Sequence, residues 1–68
     1  MIKDEILYAV SLLKSLGTIS EVSTFEIDGK WLPIIGVEKK NGERFLLESL
    51  DQIFLYINNN KIKGGVTN

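Results

Sequence analysis

The chain has 68 residues, with 8 basic and 9 acidic side chains and a net charge of −1. This length allows one small domain, and 25% charged with 44% hydrophobic residues is typical of a folded domain rather than a disordered segment. The sequence contains no Cys and no His. Disulfides, thiolate metal sites and thiol nucleophiles are therefore excluded, and the commonest general base is missing. The near-zero net charge argues against a generic binder of nucleic acid or anionic membrane.

Several features of the composition bear on location and source. Lys3, Asp4 and Glu5 occupy the start of the chain and Lys14 interrupts the apolar run, so we expect no signal peptide and no membrane span. A secreted domain of this size would usually contain disulfides, so a cytoplasmic location is expected. Ile (9), Lys (7) and Asn (5) are frequent, which is typical of an AT-rich genome such as that of a low-GC bacterium, its phages or a mobile element.

The first predicted element is a helix over 2–16. Its apolar residues fall within an arc of about 160° on a helical wheel. Asp4 and Glu5 in the first turn and Lys14 in the last turn complement the helix dipole. Gly17 follows as a C-cap.

Three strands are predicted next, over 20–27, 30–40 and 43–48, because these segments are rich in β-branched and aromatic residues. Asp28-Gly29 and Asn41-Gly42 are hairpin turn signals between them. The strands therefore form an antiparallel meander in which the second strand is central.

A second helix is predicted over 50–59. Ser49 and Gln52 have the spacing of a capping box, and three asparagines at 58–60 are expected to end the helix. The fold class is α+β, in the order α-β-β-β-α, with both helices packed mainly on one face of the sheet. Residues 1–60 form the single domain, and 61–68 are expected to be a flexible tail.

The register of the sheet is left open by its two turns. If both hairpins had two-residue turns, Lys30 would form hydrogen bonds with Ile27 of the first strand, and Lys40 would form them with Glu43 of the third strand. Residues 30 and 40 have the same parity, however, whereas alternate residues of a strand bond to opposite neighbours. Either one turn has three residues, or the strand is bulged near Pro33.

Each solution assigns the apolar side chains differently. A three-residue first turn groups Phe25, Ile27, Trp31, Pro33, Ile35, Val37 and Leu46 on one face, and Leu32, Ile34, Gly36, Phe45 and Leu47 on the other. A three-residue second turn instead groups a different set on one face: Phe25, Ile27, Leu32, Ile34 and Leu46. The first solution is preferred, because Gly36 would then leave room for a helix.

Both faces of the sheet receive large apolar side chains, because apolar residues are adjacent in Trp31-Leu32, in Ile34-Ile35 and over 45–47. Two short helices cover one face, so the other is expected to be an interaction surface. Its predicted members are Trp31, Pro33, Ile35, Val37 and Leu46. Trp31 has the alternative of being a core residue beside the hairpin.

The functional prediction is a non-enzymatic protein-interaction module, an inhibitor or adaptor that docks on a second copy of itself or on a larger protein. No cofactor or metal is expected, and no catalytic motif is present. The alternative is a nucleic-acid-binding protein that uses Lys39, Lys40 and Arg44 at the second turn. It is not favoured, because Glu38 and Glu43 lie among these cations. A third possibility is a structural subunit of a larger assembly.

Overall fold

The structure, a computed structural model, describes residues 2–65 and confirms the predicted α+β order. The three strands form one antiparallel sheet in the order β1-β2-β3. The elements are α1 (Ile2–Ser15), β1 (Ile19–Ile27), β2 (Lys30–Lys39), β3 (Arg44–Leu47) and α2 (Leu50–Gly65).

Both helices pack on the same face of the sheet. Ile6, Ala9 and Leu13 lie one above another on α1 and are fully buried, as their spacing of three and four residues predicts. They share one core with the buried side chains of the other elements: Ile19, Ile35, Val37, Leu47, Ile53 and Ile57. The molecule is therefore a two-layer domain, as predicted.

The two hairpins have turns of different length. Asp28 and Gly29 have φ angles of 52° and 76°, and they form a two-residue turn that brings Ile27 opposite Lys30. In the second hairpin, the Gly42 amide donates to the Lys39 carbonyl (2.9 Å), and the Lys39 amide donates to the Glu43 carbonyl (2.8 Å). Gly42 has a φ of 95°. The second turn therefore has three residues, and the preference for a three-residue first turn is wrong.

Strand β2 is also bulged around Pro33. Thr24 lies opposite Ile35 and Glu26 lies opposite Trp31, so three residues of β2 face a single residue of β1 between these pairs. Proline has no amide hydrogen to donate to a ladder, and a bulge accommodates that loss. β3 pairs with β2 only over 35–38, so β2 is central there and an edge around Pro33.

Helix α2 begins with the predicted cap and ends later than predicted. The Gln52 amide donates to Ser49 Oγ (3.1 Å), and the Gln52 side chain accepts from the Glu48 amide (2.9 Å). The helix continues through the asparagines to Gly65, so the expected end at 59 is wrong. The predicted flexible tail over 61–68 is helical as far as Gly65, and its last three residues lie outside the described residues.

Replacing Ser49 by alanine should lower the free energy of unfolding by about 0.5–2 kcal/mol, because the Gln52 amide then loses its acceptor. Urea denaturation followed by circular dichroism measures this change. Ser15→Ala is a matched control, since Ser15 Oγ only donates to a carbonyl of its own helix. Equal stability of Ser49→Ala and wild type would contradict the assigned cap.

Candidate protein-interaction surface

The face of the sheet away from the helices, here called the open face, is uncovered. Gly36 points towards it, since a Cβ built on Gly36 would lie 3.5–3.7 Å from side-chain atoms of Ser23, Leu46 and Phe25. Phe25, Leu46 and Ile27 are 38%, 53% and 60% exposed. Strand alternation places the half-buried Ile34 and Leu32 on the same face. This is the set predicted for a three-residue second turn.

The preferred assignment of faces is wrong for three of the five predicted interface residues, because Ile35, Val37 and Trp31 lie on the helix side. Ile35 and Val37 lie under the helices, and the exposed fraction of Ile35 is 0%. They pair with Leu47 and Phe45 of β3, which face the core with them. Leu46 alternates with these neighbours, so it lies on the open face as predicted. Pro33 is half-buried within the bulge, and its contribution to an interface stays a prediction.

Trp31 is also on the helix side rather than the open face. It pairs with Glu26 and packs against the edge of the core. The Nζ atom of Lys3 lies 5.8 Å from the centre of the indole ring, a cation–π geometry that stabilises by about 0.5–1 kcal/mol at exposed sites. The position of Trp31 therefore fits the alternative prediction, in which it packs with the core beside the first hairpin.

The open face contains a shallow hollow of about 480 Å³. The hollow is lined by Ser23, Gly36 and Leu46 and extends towards the charged side chains at one end of the face; its other lining residues are Glu21, Val37, Glu38, Arg44 and Phe45. Phe25 lies beside the hollow, within contact distance of the position that a Gly36 Cβ would take. The face therefore has a depression next to protruding apolar side chains.

The two ends of the open face carry different charged side chains. At one end, Glu21 lies directly opposite Glu38, and Glu38 lies opposite Arg44. Arg44 Nε is 3.7 Å from Glu38 Oε1, and Glu21 forms no ion pair with the described side chains, those of residues 2–61. At the other end, Lys30 lies opposite Ile27. The open face is therefore acidic near Glu21, and at the end near the first turn it carries the cation Lys30, with Asp28 beside it in the turn itself.

The basic hairpin is partly neutralised by its own carboxylates. Lys39 Nζ is 3.6 Å from Glu43 Oε1, and Arg44 pairs with Glu38 as described above. Lys40 is exposed, and its amide donates to the Thr18 carbonyl (3.0 Å). Both ion pairs lower the positive potential available to a phosphate, and binding of nucleic acid here stays a prediction.

Sequence reasoning missed Glu21 and Lys30 as members of the surface, and it grouped Phe25 and Ile27 on the predicted face without naming them as interface residues. The available signal was the Asp28-Gly29 pair, which is typical of a two-residue turn and places Ile27 and Lys30 on one face. Among the side chains of residues 2–61, no group of three acidic residues is arranged to hold a metal ion. No helix within residues 2–65 is long and apolar enough to cross a membrane.

Comparison with protein-family models, curated proteins and solved structures finds no match for this chain.

Proposed function

We propose that this protein is a small non-enzymatic interaction module that docks the open face of its sheet, and that its partner is a second copy of the chain. The observation that supports this proposal is the packing of both helices on one face, which leaves Phe25, Ile27 and Leu46 in contact with water. Covering a large apolar side chain contributes roughly 1.5–3 kcal/mol. A small core yields only about 3–5 kcal/mol, so covering this face is a substantial gain.

The size of the open face indicates weak association. From Glu21 to Ile27 the face is roughly 20 Å long, and three strands make it about 15 Å wide. Such a patch is smaller than the approximately 800 Å² that each partner buries in a standard stable interface. We therefore expect an equilibrium between monomer and dimer in the micromolar range or above.

In the cell, this module acts as an inhibitor or adaptor in the cytoplasm, encoded by a phage or mobile element. The size, the composition and the absence of Cys and His support this part of the proposal. Nothing in the ion-paired second hairpin favours the nucleic-acid alternative.

Sedimentation of the wild-type protein from about 10 to several hundred micromolar tests the association, with a rise in mass towards twice that of the chain as the expected result. A photoreactive residue in place of Ile27 should give a cross-linked product of twice the chain mass. The same residue in place of Leu55, which is 60% exposed on α2, is the matched control and should give none. A strict monomer would contradict the second copy as partner, and equal cross-linking from both positions would contradict the open face.

A further inference from the structure

We infer that two copies dock with their open faces together and their strands antiparallel, so that Lys30 of each copy meets Glu21 and Glu38 of the other. This inference rests on the proposed function, since it specifies how the second copy sits on the open face. The inference follows from the order of side chains along that face. When a second copy is turned end to end, its side chains are complementary to those of the first.

The open face consists of four successive rows across β1 and β2. The first contains Glu21 and Glu38, the second Ser23 and Gly36, the third Phe25 with the bulge, and the fourth Ile27 and Lys30. A two-fold axis between the second and third rows, perpendicular to the strands, exchanges the first row with the fourth. It also exchanges the second row with the third. A symmetric contact of this kind presents the same patch on both copies.

This exchange brings opposite charges together across the interface. Glu21 and Glu38 are like charges directly opposite each other, an arrangement that destabilises an isolated sheet. Arg44 pairs with Glu38 only, so the row retains a net negative charge. Lys30, on the fourth row, forms no ion pair among the side chains of residues 2–61. The antiparallel dimer brings this cation onto the acidic row at both ends of the interface.

The same exchange matches shape. The hollow spans the first two rows, from Glu21 and Glu38 to Ser23 and Gly36, and the apolar side chains of Phe25 and Ile34 are on the third row. Under this two-fold axis each strand lies over its own copy. Lys30 of one copy therefore lies over Glu38 of the other and diagonal to Glu21, and Ile34 lies over Gly36 at the inner end of the hollow. A parallel arrangement would instead place the two hollows together and oppose Glu21 and Glu38 to the same residues of the partner.

A charge-exchange experiment tests this geometry. Lys30→Glu and Glu21→Lys should each raise the dissociation constant of self-association about tenfold, because each change replaces attraction by repulsion twice in the symmetric dimer. An equimolar mixture of the two variants should recover a constant within about threefold of wild type, since the introduced charges are complementary. Sedimentation equilibrium with one variant fluorescently labelled measures all three constants.

Lys61→Glu is the matched control, because it changes the net charge equally at an exposed position on α2. It should leave the constant unchanged. Circular dichroism checks the fold, and Lys30→Ala, with a smaller expected loss, replaces Lys30→Glu if that variant does not fold. If wild type associates but neither charge variant affects it, or if mixing restores nothing, the antiparallel geometry is overturned while docking by the open face stands. A monomeric wild type would overturn both proposals.

Discussion

Replacing Ile35 by alanine is expected to remove most of the free energy of unfolding, while the same change at the neighbouring Ile34 is tolerated. Ile35 has no exposed surface, and truncating a buried isoleucine to alanine costs about 2–5 kcal/mol. The whole stability of a domain this small is about 3–5 kcal/mol. Ile34 lies on the open face and leaves no internal cavity, so its truncation should cost about 1 kcal/mol.

The measurement is urea denaturation of both variants at low micromolar concentration, where association contributes little to stability. Trp31 is the only tryptophan and packs against the core, so its fluorescence reports the loss of packing alongside circular dichroism. Equal destabilisation by the two changes, or a larger loss at Ile34, would contradict the assignment of the two faces.

Most of the element order could be predicted from local signals. The buried spacing of α1, the Gly17 cap with its φ of 82° and the Ser49 cap of α2 each depend on residues close in sequence. The end of α2 did not follow from local propensity. Asparagine is a poor helix former, yet Ile57 is buried in the core and the Asn60 side chain donates to the Tyr56 carbonyl (2.8 Å). These contacts favour continuing the helix past 58–60.

The choice of face could not be read from polarity, because Ile34 and Ile35 are chemically identical neighbours that point in opposite directions. Only the lengths of the two turns decide which of them meets the helices. Both turn signals, Asp28-Gly29 and Asn41-Gly42, are a polar residue followed by glycine, so the dipeptide alone does not distinguish the two-residue turn from the three-residue turn that ends at Gly42. The preference based on Gly36 failed because no helix lies above this glycine; the side chains of Ser23, Leu46 and Phe25 lie beside it instead. Of the five predicted interface residues, Leu46 is therefore the one placed on the open face.

Replacing Leu46 by glutamate should abolish self-association without unfolding the protein. Leu46 is 53% exposed in the monomer, so a carboxylate there remains hydrated, and the free energy of unfolding should change by less than about 1 kcal/mol. In the docked state the same carboxylate would be removed from water without a partner, which is strongly unfavourable. The dissociation constant should rise at least about 100-fold, measured by sedimentation over the concentration range in which wild type associates.

Leu55→Glu is the matched control, since Leu55 is similarly exposed but lies on α2, away from the open face. It introduces the same charge and should associate as wild type does. If the Leu46→Glu variant does not fold, Ile27→Glu makes the same test beside the first turn, where the side chain is 60% exposed. Both leucines are apolar and exposed in the monomer. If association depended only on exposed apolar surface in general, the two substitutions would therefore weaken it equally. Association that survives Leu46→Glu but fails in Leu55→Glu would move the interaction surface from the sheet to the second helix.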